Sequence, residues 1–397
     1  MRSLLLSFFV LFFLACGNPS SDTPVKVMVL VPNAKNMFEP QQKQLTRISN
    51  MSKLEGDVAT FIGSARLLID EEDAKQQSAE TLEELKKAVF KDKGSSVHAQ
   101  FIEKDGVLWP ADFHSWAMTT AYWNLEQAFL YFQEAYGGRD TTELLNLPTY
   151  YWLDFMESGK KASHKDNAFF HNGFRFMAIL PFKELQTIPM SINLGVMAHE
   201  YAHFVFNARV HESNPFSPSH VSEGDAPFIM DALNEGLADF HAYGVTRRLD
   251  GKGNQNFLEW TLGKAEADKR NFADPTQCWS TLDELTIYTV GTLFAASFYQ
   301  AASKANKLEL MAKFLINAYS NNTPQGAHGI REHYIRSNPR DITFASVANV
   351  FLAHITDEDL RRRTCNELMD RFDFPKKALP NCPESSERDS NADCYRP

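Results

Sequence analysis

The residues His199-Glu200-Tyr201-Ala202-His203 carry the clearest chemistry in this sequence, set in the apolar run LGVMAHEYAHFVF. Positions 199 and 203 stand about 400° apart around a helix, so both imidazoles leave it on one face. Two nitrogen donors on one rigid helix supply half of a tetrahedral zinc site. Glu200 is displaced by about 100° from His199. It need not ligate, and it is placed to act on a water as general base. Without a metal, two imidazoles and a carboxylate on an apolar helix would need other partners, because unpaired buried polar groups are costly.

A third ligand is expected downstream. Residues 231–244 read DALNEGLADFHAYG, a second helix-like segment with Glu235 and Asp239 four apart on one face. Glu235 is the candidate third ligand, and Asp239 could accept an N–H from a metal-bound histidine and so fix its tautomer. The competing reading is a solvated acidic face, against which Leu233, Leu237, Ala238 and Phe240 speak. His211, His220 and His241 compete for the third place. None of them falls at the short spacing of the HExxHxxGxxH pattern.

HEYAH followed by NEGLAD resembles the gluzincin metallopeptidases, and among them the thermolysin-like branch, whose pattern is HExxH followed by NExxSD. Ala238 stands where that pattern has serine. The resemblance implies a zinc peptidase in which His199, His203 and Glu235 bind zinc, Glu200 is the base and Asp239 supports a ligand. It continues upstream, where residues 167–173, NAFFHNG, look like the family's edge strand NAFWNG with one residue inserted. That strand pairs with substrate backbone, which makes Asn167 and Ala168 peptide-binding candidates through strand addition. The likeness is strong over residues 166–240 and faint elsewhere. Relatives often carry calcium as well, at positions this sequence does not mark.

The family also uses a histidine in its later helical lobe to stabilise the oxyanion, with an aspartate five residues before it. Here Tyr288 opens an apolar helix, with Asp283 five residues earlier. A phenol can donate to a developing oxyanion, so Tyr288 is the candidate, with His328 and His333 as the other donors to consider. The bland alternative is a tyrosine packing at a helix start.

The head of the chain, MRSLLLSFFVLFFLAC, has one arginine and then too few apolar residues to span a bilayer, where about 20 are needed. It reads as an export signal over residues 1–15. Phe-Leu-Ala-Cys resembles the lipobox of bacterial lipoproteins, with Phe13 in place of the usual leucine, and makes Cys16 the lipidation candidate. Residues 16–24 would be a tether. Export leaves Cys278, Cys365, Cys382 and Cys394 in an oxidising compartment, four cysteines with three pairings open. A net charge of −10 over 397 residues argues against nucleic acid as a partner.

The elements that must hold these residues fall in order along the chain. Strands are expected near residues 25–31, 54–70, 97–101, 106–109 and 168–182. An amphipathic helix is expected over 78–90 and a long aromatic-rich one over 111–136, ended by Gly137 and Gly138. Beyond about 208 most of the chain reads as helix. This suggests an α+β, zincin-like architecture: a strand-containing lobe over 25–207, a mainly helical lobe over 208–375, the zinc site between them, and a cysteine-bearing tail over 376–397. The favoured reading is an exported, lipid-anchored zinc peptidase at a bacterial outer membrane or cell surface, with peptides as substrates. The alternative is a non-catalytic surface lipoprotein that keeps the zinc-binding scaffold for binding or assembly. Nothing in the sequence sets an oligomeric state.

Overall fold

The computed structural model describes residues 24–388, apart from 34–36, 71, 159–162, 183–187, 212–224, 263–269, 275–276, 321–322 and 324–325. The expected export signal over residues 1–15, Cys16, the expected tether up to residue 23, His220 and Cys394 lie outside the described residues. The strands are β1 (Val25–Pro32), β2 (Phe38–Leu45), β3 (Ile48–Asn50), β4 (Glu55–Gly56), β5 (Ala59–Gly63), β6 (Arg66–Ile69), β7 (Phe90–Asp92), β8 (Ser95–Ser96), β9 (Phe101–Lys104), β10 (Val107–Pro110), β11 (Leu147–Tyr151), β12 (Asp154–Glu157), β13 (Ala168–His171) and β14 (Phe176–Ile179). The helices are α1 (Ala74–Gln77), α2 (Leu82–Val89), α3 (Phe113–Ala135), α4 (Leu194–Phe206), α5 (Ala226–Asp250), α6 (Glu259–Leu262), α7 (Ile287–Ala305), α8 (Leu308–Ser320), α9 (Ile330–Arg336), α10 (Phe344–His354) and α11 (Glu358–Phe372). Among the described residues every strand thus precedes residue 180 and the later elements are helices, the α+β division expected from the sequence.

The sheet that matters for the site runs β13-β14-β11-β5-β4-β3, with β8 also on β5. Its middle is parallel, β5 with β11 and β11 with β14, and it ends on an antiparallel hairpin that leaves β13 at the edge. The expected single strand over 168–182 is therefore two, because the chain reverses at residues 172–175, with Arg175 at φ 52°. The earliest strands are built into the same body. Leu30 N–H donates to the Thr120 hydroxyl on α3 at 3.1 Å, and Thr46 N–H donates to the buried Glu126 carboxylate at 2.7 Å. One continuous apolar core runs from Val27 on β1 to Leu379 beyond α11.

Local signals explain the helix limits. Asp112 caps α3 by accepting from Ser115 N–H at 2.9 Å, and the left-handed Gly137 and Gly138 follow its end. The helix expected over 78–90 starts later, at Leu82. Thr81 and Glu84 form a reciprocal capping box, whereas Ser78 terminates α1. The strand expected at 97–101 begins only at Phe101. In the tail, Cys365 on α11 is bonded to Cys382. Cys278 is disulfide-bonded too. Among the described residues, no helix is long and apolar enough to cross a membrane.

Candidate metal centre

All thirteen residues of α4 are buried. Asn193 opens the helix, accepting from Gly195 and Val196 N–H while its own amide donates to Phe257 C=O at 2.7 Å. This cap fixes where the helix starts, and with it the direction in which His199 and His203 point. Both project into a cleft of about 780 Å³, floored by α4 and α5 and bounded by β13 and the start of α7.

Glu235 on α5 meets the two histidines there. His199 Nε2 and His203 Nε2 are 3.0 Å apart, and they lie 3.3 Å and 3.6 Å from the two Glu235 oxygens. A tetrahedral ion with ligands at roughly 2.0–2.1 Å separates them by about 3.3 Å. The three donors therefore have the spacing of a metal's ligands, and they form the one histidine, cysteine or carboxylate group of that kind among the described residues.

The back of each imidazole is held as well. His203 Nδ1 donates to Asn234 Oδ1 at 3.0 Å, which leaves Nε2 to face the cleft. His199 Nδ1 lies 3.0 Å from Asp239 Oδ1, off the direction of a full hydrogen bond. Asp239 thus lies against the back of His199, a histidine whose N–H the sequence reading would have it accept. Asn234, immediately before Glu235, was not singled out.

Charge in the cleft is dense. Burial disfavours a charged His199, but Asp239 and Glu235 outweigh it and raise the imidazole to about 9. Burial would raise Glu235, yet His203, His199 and Arg270 around it hold its carboxyl well below the usual range. Arg270 is a residue the sequence did not point to. Its Nη2 donates to Glu235 Oε2 at 3.0 Å and to Asp239 Oδ1 at 2.8 Å, and Nε donates to Asp239 Oδ2 at 3.1 Å. It arrives from a loop beyond α6, 35 residues from Glu235, and local pattern carries no signal for such a pairing.

Glu200 faces the same space. Burial raises its carboxyl, with the two histidines opposing. Its Oε2 accepts from Phe170 N–H at 2.8 Å, which ties it to the edge strand. Leu180 N–H bonds to Asn167 C=O, so by alternation the peptide groups of Ala168 and Phe170 point away from β14. The Ala168 N–H is covered by Asn167 Oδ1 at 3.0 Å. Asn167 and Ala168 both line the cleft, beside Glu200.

Tyr288 stands across the cleft in the first turn of α7, 47% exposed, with the Arg270 guanidinium 4.8 Å from its ring centre. Burial and the nearby Glu235 raise its phenol, so the hydroxyl keeps its proton. What brings α7 this close is a glycine pair. A Cβ on Gly236 would sit 2.1 Å from Gly291 C=O, and one on Gly291 would sit 2.6 Å from Ala232 C=O. These glycines follow Glu235 by one residue and Tyr288 by three, a signal the sequence contained and periodicity alone does not reveal.

The other histidines are placed elsewhere. His211 stacks edge-on against Phe206 and Tyr334, and His333 is bonded to Ser337 and Ser346. His241 sits between Tyr131 and Tyr319. None of these, nor His328, lines the cleft, whereas Asp283 does.

No family model matches the sequence, and no curated protein matches it. Among solved structures, the chain is similar to the precursor of protealysin, a metalloproteinase from Serratia proteamaculans. The TM-score is 0.49 and the identity 16%, covering 78% of this chain and 87% of that one.

Proposed function

We propose that this chain is an exported, lipid-anchored zinc peptidase. The observation that carries the reading is the donor triangle of His199, His203 and Glu235 with Glu200 beside it, at the open edge of a sheet. A bound zinc ion supplies Lewis acidity, which polarises a carbonyl and eases loss of a proton from water. The protein's own groups do the rest. Glu200 takes a proton from the attacking water and passes it to the leaving amine. Phe170 N–H holds that carboxylate in place. The outward C=O of Ala168 on β13, with the Asn167 side chain beside it, holds the substrate in extended form. Tyr288 donates a hydrogen bond from its hydroxyl to the oxygen that becomes negative. Lipidation at Cys16 and a bacterial outer membrane or cell-surface location complete the reading.

The test is Glu200→Gln against a mixed quenched-peptide library, with and without chelator. Chelator-sensitive cleavage falls at least 100-fold, within the range of about 10²–10⁴ for general acid–base catalysis, while bound zinc stays near one per chain. Undiminished cleavage in the variant sinks the mechanism. Full zinc with no cleavage by the unaltered protein at any pH supports the non-catalytic lipoprotein instead.

A further inference from the structure

A second cavity, of about 300 Å³, lies where the end of α3, the second half of α5 and the start of α8 converge, and it shares no lining residue with the metal cleft. Small side chains on the three facing helices make the room, Ala135, Gly244 and Ala312. Tyr131, Phe240 and Tyr243 form a buried aromatic floor.

That floor is rigid. The Tyr131 hydroxyl is 3.0 Å from His241 Nδ1, and His241 Nε2 is 3.1 Å from the Tyr319 hydroxyl. A Cβ on Gly244 would come within 2.5 Å of the Tyr131 hydroxyl oxygen, so glycine is what lets α5 lie against that ring.

The rim is charged and solvent-facing. Arg248 is paired with Glu134 at 3.3 Å. Among the described residues, Arg247 and Lys313 make no ion pair, and Glu309 stands near them. An apolar floor with a few convergent polar groups is the usual make-up of a small-molecule site, and this volume is at the lower end of the range of about 300–1,000 Å³. It suits one ring with a short charged head and excludes an extended peptide.

We propose that this cavity binds a small aromatic carboxylate, of the size of phenylalanine. The ring lies on Tyr131, Phe240 and Tyr243, and the carboxylate is held by the two unpaired cations, with Arg247 offering a planar two-point contact and Lys313 a point charge. Glu309 and Glu134, also on the rim, tolerate an ammonium group on the ligand but do not require one. The inference stands apart from the peptidase reading, since it uses no residue of the metal cleft.

The experiment is titration calorimetry of the whole protein with 3-phenylpropionate, phenylalanine and phenethylamine, in the presence and absence of chelator. Both carboxylates are expected to bind one per chain in either condition, and phenethylamine is not. Changing the rim with Arg247→Gln and Lys313→Gln weakens both carboxylates by about tenfold or more, while the melting temperature and circular dichroism stay unchanged. The proposal is overturned by no saturable binding of either carboxylate up to roughly 10 mM. It is equally overturned by equal binding of phenethylamine, by binding untouched in the double variant, or by binding that chelator abolishes, which would place the ligand on an ion in the cleft.

Discussion

Helix α5 has two faces, and each meets a buried histidine in the opposite electrical state. On the cleft side, His199 sits among Glu235, Asp239 and Arg270 and is raised to about 9. On the other side, His241 sits between two tyrosines, and burial pushes it down to about 3. Both side chains are almost completely buried, so burial does not separate them. The neighbours do. Carboxylates around His199 make a place where positive charge is welcome, and a metal ion is one form of that charge. Phenols around His241 satisfy a neutral ring by donating at one nitrogen and accepting at the other, which leaves nothing for an ion to bind. The lesson applies to His241 as a rival third ligand: in sequence it lies only two residues past Asp239, yet two residues turn a helix by about 200° and place it on the opposite face.

The sharpest way to break this contrast is to change one histidine environment and read out the other. Glu235→Gln should weaken zinc binding by more than about 100-fold, because loss of even an outer partner costs 10–100-fold. His241→Phe should leave zinc near one per chain. Competition against a chromophoric chelator measures both, and zinc loss in the His241 variant would erase the distinction.

Stability should respond in the reverse order. His241→Phe leaves two buried tyrosine hydroxyls without their partner, at about 1–3 kcal/mol each. The cost is expected to depend on pH. Because the folded-state value of His241 is depressed, its contribution is present above its ordinary 6.5 and lost as pH falls toward 3. The unaltered protein should therefore lose stability faster than the variant across that window in urea titrations. Parallel acid curves would mean that His241 is not held neutral.

A smaller effect is expected where the two helices cross. Gly236→Ala puts a methyl onto Gly291 C=O and should destabilise by roughly 1–3 kcal/mol, as overpacking does. Since the same crossing sets Tyr288 against Glu235, peptide cleavage should fall more than zinc affinity. Equal losses would show that the crossing serves the metal alone.

The mildest change is Arg270→Lys. It keeps the charge beside Glu235 and Asp239 but loses the two-point contact and the guanidinium over Tyr288, at about 1 kcal/mol. Zinc content should hold while the melting temperature falls by a few degrees. A loss of zinc would make Arg270 a member of the centre rather than a neighbour that fixes Asp239.

What could be read along the chain was whatever a helix or a strand fixes over a few residues. The four-residue spacings of His199 with His203, and of Glu235 with Asp239, determine a shared face before any fold exists. Alternation along residues 168–171 likewise determines which peptide groups face outward once β13 becomes an edge. The pairings that make a centre out of these pieces are long-range. Arg270 with Glu235, Phe170 N–H with Glu200 and Gly236 against Gly291 each join segments 30 to 55 residues apart. Their partners are chosen by sheet order and helix crossing, for which no local period exists. So the donors were legible in the sequence, while their charge state, the tautomer-fixing role of Asn234, and the neutral fate of His241 were decided by which side chains folding brought to each face of α5.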